Sequence, residues 1–154
     1  MRINTLAAVD VSALAAWIAN IDFAEWPQQT PTRADQLRPA MVTDPEWHDF
    51  GTTTEAVVVE LMERFPGRCR SAGRMLSVVM PHDSIPPHVD RQSGGWITRV
   101  HVPIVTNEMA VFYVLGKPFQ MRAGMAYLVD IEGEHSIVND GDGPRIHLMF
   151  DVSG

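Results

Sequence analysis

The rhythm of apolar and polar positions changes near the middle of the chain. In the first 68 residues the apolar positions recur at helical spacing or are broken up by proline. Leu14, Trp17 and Ile18 share one face of a short helix predicted to run to about Asn20, with Asp10 or Ser12 as its cap. Residues 24–50, with prolines at 27, 31, 39 and 45, read mostly as loop. A second helix is predicted to open at TTTE, where Thr52 and Glu55 have capping-box spacing. It turns Val57, Val58, Leu61 and Met62 inward and stops at Pro66–Gly67. From Cys69 onward, short β-rich runs follow one another: RMLSVVMP, ITRVHVPIVT, AVFYVLG, MAYLVDI, HSIVND and RIHLMFDV, separated by Gly, Pro, Asn and Asp. Runs of this length and spacing predict a barrel or sandwich, and helices ahead of them make the fold class α+β, mainly β. The expected layout is one domain, with residues 1–68 as a helical and loop part packed on one side of a β core at 69–152.

Composition narrows the chemistry. A chain of 154 residues with 45% hydrophobic content can bury a proper core. The net charge of −7 has the wrong sign for a general nucleic-acid binder. Of the twelve cations eleven are arginine, the better fork for carboxylates. A single cysteine excludes an intrachain disulfide and a cysteine-based zinc cluster, and Cys69 is expected to be buried and inert. No leader pattern or membrane-length apolar run is seen, and a cytoplasmic address is expected.

Against this background the polar residues inside the β-rich runs stand out. Residues two apart in a strand face the same way, so His88 with Asp90, Arg99 with His101, and Arg145 with His147 can each point together into a barrel interior. An H-x-D alone decides nothing: six His and eleven Asp in this length give roughly 0.4 chance matches. His135 adds a second imidazole after a later strand, and Arg145 follows it by ten residues. Two imidazoles and one carboxylate make the facial triad that holds non-haem Fe(II) with open positions. A 2-oxo acid bound there needs a buried cationic fork for its far carboxylate, which arginine supplies. Other readings stay open from the residues alone. Arg145 can pair with Asp140, Asp142 or Asp151, and an inward Arg99 can brace a loop carboxylate. His48 and His82 lie beside aspartates in loops and are expected to be solvated.

Several stretches together resemble the aspartyl/asparaginyl β-hydroxylases, a family of Fe(II)/2-oxoglutarate-dependent dioxygenases. SVVMPHDSIPPH, from Ser77 to His88, is similar to that family's approach to the first metal histidine. RVHVPIV resembles its R-x-H strand. GMAYLVDIEGEHSIVNDGDGPRIHLMFDV, from Gly124, resembles its closing segment, with D-x-x-x-x-H, N-x-x-x-x-x-R and a terminal Asp-Val. The resemblance covers about residues 70–152. It implies a double-stranded β-helix (jelly-roll, cupin-like) core with Fe(II) on His88, Asp90 and His135. It further implies 2-oxoglutarate held through its distal carboxylate by Ser77 and Arg145, with Arg99 and His101 near its metal-proximal end, and O2 as co-substrate. The implied reaction hydroxylates an unactivated C–H of an amino acid, peptide or similar small metabolite, releasing succinate and CO2. Neither a nucleic acid nor a membrane is expected as a partner. Trp96, after a Gly-Gly pair, is a candidate lid over the site, and His147 a candidate substrate contact. RQSGGWIT, residues 91–98, departs from the family pattern. The rival readings are a cupin-like metalloenzyme of another reaction type and a non-catalytic carboxylate-binding module.

Overall fold

The computed structural model describes residues 3–20, 36–37, 48–90, 98–130 and 132–153. Among these described residues ten strands form two antiparallel sheets, β1 (Ile3–Ala8), β2 (Gln36–Leu37), β3 (Arg70–Val79), β4 (Asp83–His88), β5 (Thr98–Val105), β6 (Ala110–Val114), β7 (Lys117–Phe119), β8 (Met125–Asp130), β9 (His135–Asn139) and β10 (Arg145–Val152), accompanied by two helices, α1 (Ser12–Ile18) and α2 (His48–Glu63). The main sheet runs β1-β8-β5-β10-β3-β2 and the minor sheet β4-β9-β6-β7. This is the jelly-roll that the family resemblance implies, within the barrel-or-sandwich class that the β-rich runs predict.

β10 explains how such a fold can place charge inside. All eight of its residues are buried. Ile146, Leu148, Phe150 and Val152 join Val100, Val102 and Ile104 of β5 in one apolar cluster with Leu14 and Ile18 of α1 and Val57, Val58 and Leu61 of α2. Helices therefore cover one face of the main sheet, and that face is the dry core. The alternate residues Arg145, His147, Met149 and Asp151 must then face the other way, towards the minor sheet. A smaller cluster, which includes Ile85, Phe112, Tyr127, Val129 and Ile137, fills part of that inner space.

The structure departs from the sequence reading at several points. β1 is a strand in the main sheet, paired antiparallel with β8, so the first 68 residues contribute to the β architecture as well as the helices. α2 opens at His48, not at Thr52. Glu55 is thus inside the helix, where its carboxylate takes both Arg70 and Arg74 and ties α2 to the start of β3. At α1 the cap position is Val11, and Asp10 accepts from the backbone N–H of Ser12 at 2.9 Å. Cys69 is exposed, since it lies in the connection before β3 and outside the sheet's buried faces. β4 carries Pro86 and Pro87; an edge strand tolerates them because its outer N–H positions need no partner. Leu115 (φ 50°) and Gly116 (φ 76°) form the two-residue hairpin joining β6 to β7, a turn that demands positive φ at both positions. Gly124 (φ 79°) lets the chain pass close to β1, its carbonyl accepting from Val9 N–H at 2.8 Å.

Candidate active site

Three central strands of the main sheet carry one half of the site. Strand β10 lies between β3 and β5, with His147 opposite Ser77 on one side and Asp151 opposite Arg99 on the other. Ser77, Arg99, His101, Arg145, His147 and Asp151 are all buried. The minor sheet supplies the other half. β4 pairs with β9 so that His88 stands opposite His135, and a bulge between Ile85 and His88 re-aims the end of β4. Asp90 follows two residues beyond that strand.

The ligand atoms of His88, Asp90 and His135 all lie within 4.8 Å of one another. Asp90 Oδ1 is 3.7 Å from His88 Nε2, and Oδ2 is 3.3 Å from His135 Nε2. Each imidazole is held from behind. His88 Nδ1 is 2.7 Å from the Pro86 carbonyl, and His135 Nδ1 is 2.7 Å from the Gly133 carbonyl. A carbonyl only accepts, so each Nδ1 carries the proton and Nε2 is the ring atom turned inward, able to give its electron pair to a metal once it holds no proton of its own. Two such pairs and a carboxylate converging on one point call for a cation between them, and the donor set fits a non-haem iron. Burial alone would raise Asp90, but the contact with His135 and the charge of Arg99 outweigh it and hold the carboxyl well below the ordinary carboxylate range.

Beside these candidate ligands, Ser77, Ile85, Arg99, His101, Phe112, Ile137, Arg145 and Met149 line the same cavity. Arg145 donates to Ser77 Oγ at 3.0 Å and to His147 Nδ1 at 2.9 Å. Among the described residues no carboxylate pairs with it; Asp151, one of the rival partners the sequence offered, is taken by Arg99. Burial lowers the Arg145 pKa to about 9, which still leaves a cation at neutral pH. Because guanidinium only donates, His147 Nδ1 must accept. His101 Nδ1, 3.2 Å from the same nitrogen, is then the donor of the second bond. His147 is 2% exposed, does not line the cavity, and lies behind Arg145 and His101. His82 is exposed, as expected of a loop histidine. Trp96 and the side chain of His48 lie outside the described residues.

Two residues absent from the candidate set emerge only here. Asp151 fastens Arg99, and Asn139, fully buried, donates to the carbonyls of Val79 and Gly143 at 3.0 and 2.9 Å. Asn139 thereby ties the end of β9 to the end of β3 and to the loop that delivers Arg145. The N-x-x-x-x-x-R spacing was its signal in the sequence.

Burial pushes both His101 and His147 well below the ordinary 6.5, helped by the positive charge of Arg145. In the unfolded chain they take up protons near that value, whereas in the folded protein they stay neutral to lower pH. Folding stability attributable to them is full above about pH 6.5 and is lost as the pH falls below it. Thermal unfolding followed from pH 8 to 5 should show Tm dropping from about pH 6.5, well above the carboxylate range. His147→Gln should flatten that slope; an unchanged profile would remove His147 as its source.

A family model of the aspartyl/asparaginyl beta-hydroxylases matches residues 28–154. The chain belongs to this family. It is therefore an enzyme of the hydroxylase type. No curated protein matches it in sequence. Solved structures of similar fold include a viral collagen prolyl hydroxylase from Paramecium bursaria Chlorella virus-1 in its 2OG complex, with TM-score 0.60, 9% identity, and coverage of 99% of this chain and 96% of that one. A Pseudomonas putida prolyl-4-hydroxylase is similar at TM-score 0.64 and 11% identity, with 99% and 92% covered. A non-heme alpha-ketoglutarate-dependent epimerase of nogalamycin biosynthesis is similar at TM-score 0.64 and 14% identity, with 99% and 78% covered. Among the described residues no helix is long and apolar enough to cross a membrane.

Proposed function

We propose that this hydroxylase binds Fe(II) on His88, Asp90 and His135, takes 2-oxoglutarate into the adjoining cavity, and hydroxylates an unactivated C–H bond of an amino acid, peptide or similar small metabolite. The observation that carries this reading is Arg145: a buried guanidinium on the cavity wall, with a hydroxyl beside it and no carboxylate partner among the described residues. Keeping such a charge out of water is costly unless an anion meets it. A dicarboxylate supplies that anion, and the apolar side chains of Ile85, Phe112, Ile137 and Met149 suit the methylenes between its two ends.

Fe(II), 2-oxoglutarate and O2 together supply the oxidising power, with succinate and CO2 as co-products. The chain's own residues position and neutralise. His88 and His135 present electron pairs from rings locked by backbone carbonyls. Arg145 and Ser77 take the distal carboxylate. His147 accepts from Arg145, fixing the guanidinium from behind, and His101 borders the cavity from the neighbouring strand. Arg99 donates to Asp90, so its part is to steady the metal carboxylate. Hydroxylation as the outcome follows the family, since similar folds also serve an epimerase.

The test is anaerobic addition of Fe(II) to the protein with and without 2-oxoglutarate. A weak visible metal-to-ligand absorption is expected only when both are present. A folded, iron-loaded protein without that band sinks the proposal. A panel of amino acids and short peptides, screened for stimulated succinate formation, then identifies the substrate.

A further inference from the structure

Asp151 stands directly opposite Arg99 in the register of β10 and β5. Both are nearly buried, at 7% and 6% exposure. Arg99 Nε donates to Asp151 Oδ1 at 2.7 Å, and Nη2 donates to Oδ2 at 3.2 Å. The remaining terminal nitrogen, Nη1, donates to Asp90 Oδ2 at 2.9 Å. Two of the three guanidinium nitrogens are thus held by one carboxylate, and a planar fork gripped at two points cannot swing. Its third nitrogen reaches the metal carboxylate in a direction set by β10. Asp90 needs such a hold, because it lies past the end of β4 and no strand register positions it.

We propose that Asp151 is a positioning residue for the metal centre: acting through Arg99, it orients the Asp90 carboxylate between the two imidazoles. This rests on the metal reading above. A purely structural ion pair between β5 and β10 would contribute to stability and leave metal affinity alone, so affinity is the discriminating readout.

The experiment is calorimetric titration of the metal-free protein with Co(II), with thermal unfolding measured alongside. Asp151→Asn keeps size and one acceptor but loosens the grip on the fork. It is expected to raise the Co(II) Kd about 10- to 100-fold, the usual cost of losing an outer-shell partner. Arg99→Met should raise it similarly, and adding Asp151→Asn to Arg99→Met should change it less than about threefold, since both act along one path. Asp151→Glu, whose longer arm displaces the fork, serves if Asp151→Asn does not fold; it too should bind Co(II) more weakly. An unchanged Kd in a folded Asp151 variant, or effects of Arg99 and Asp151 that simply multiply, overturns the proposal. If the wild-type protein itself does not take up Co(II), the metal reading falls and this inference falls with it.

Discussion

Replacing Arg145 with methionine is expected to weaken 2-oxoglutarate binding severely while leaving the metal-free protein at least as stable as the wild type. The two effects have opposite sign because the same side chain is costly without its ligand and indispensable with it. Arg145 is 2% exposed and bonded to neutral partners, Ser77 and His147. Burying a charge on such terms costs several kcal/mol, and apolar replacements of buried charged groups are often neutral or stabilising by about 1–4 kcal/mol. Binding moves the other way. Removing one partner of a desolvated charge pair costs about 2–5 kcal/mol, a loss of roughly 30- to 5,000-fold in affinity. Calorimetry with 2-oxoglutarate on the metal-loaded variant and thermal unfolding of the metal-free one check the two halves. Co(II) affinity should barely change, since Arg145 does not bond the metal ligands. An Arg145→Met variant that still binds 2-oxoglutarate as the wild type does would show that the cavity's anion lies elsewhere.

The second large effect is expected at Asp90. Asp90→Ala removes the only carboxylate among the three candidate ligands and leaves two imidazoles. Metal affinity should fall by more than the roughly 100-fold typical of an outer-shell loss, and succinate formation without substrate should disappear with it. Stability should fall as well, because Arg99 loses one of its two carboxylate partners in a nearly dry setting; about 1–3 kcal/mol is the expected scale for the stranded donor. The loss stays that small because Asp151 continues to hold the guanidinium. Co(II) titration, succinate assay and chemical denaturation of one preparation test all three statements. Retained turnover in this variant would remove Asp90 from the ligand set.

The six β-rich runs became strands because alternation of apolar and polar positions survives in any sheet with one dry face. β1 and β7 escaped notice and β4 lay outside the six runs although His88 was read as a strand residue, each for a separate reason. INTLAA alternates weakly, DSIPPH contains two prolines that only an edge position excuses, and KPF is three residues long. The capping-box spacing at Thr52 was a local signal overridden by tertiary contacts: Glu55 does more for the fold by pairing with Arg70 and Arg74 than by bonding the helix end. Cys69 was read from its residue type, whereas its exposure depends on which connection it falls in.

The sequence by itself determined which side chains face the same way. Alternation along β5 and β10 put Arg99 with His101, and Arg145 with His147, on a shared face, and H-x-D followed by a distant histidine supplied the candidate ligand set. Only the tertiary structure decided partners. Asp90 meets His135 and Arg99, Arg99 takes Asp151 rather than leaving it to Arg145, and His101 leans on His147 across two strands. The physical reason is that facing is a property of one strand's pleat, while partnership depends on strand order and register. Those are set by contacts tens of residues apart, here the 52 between Arg99 and Asp151.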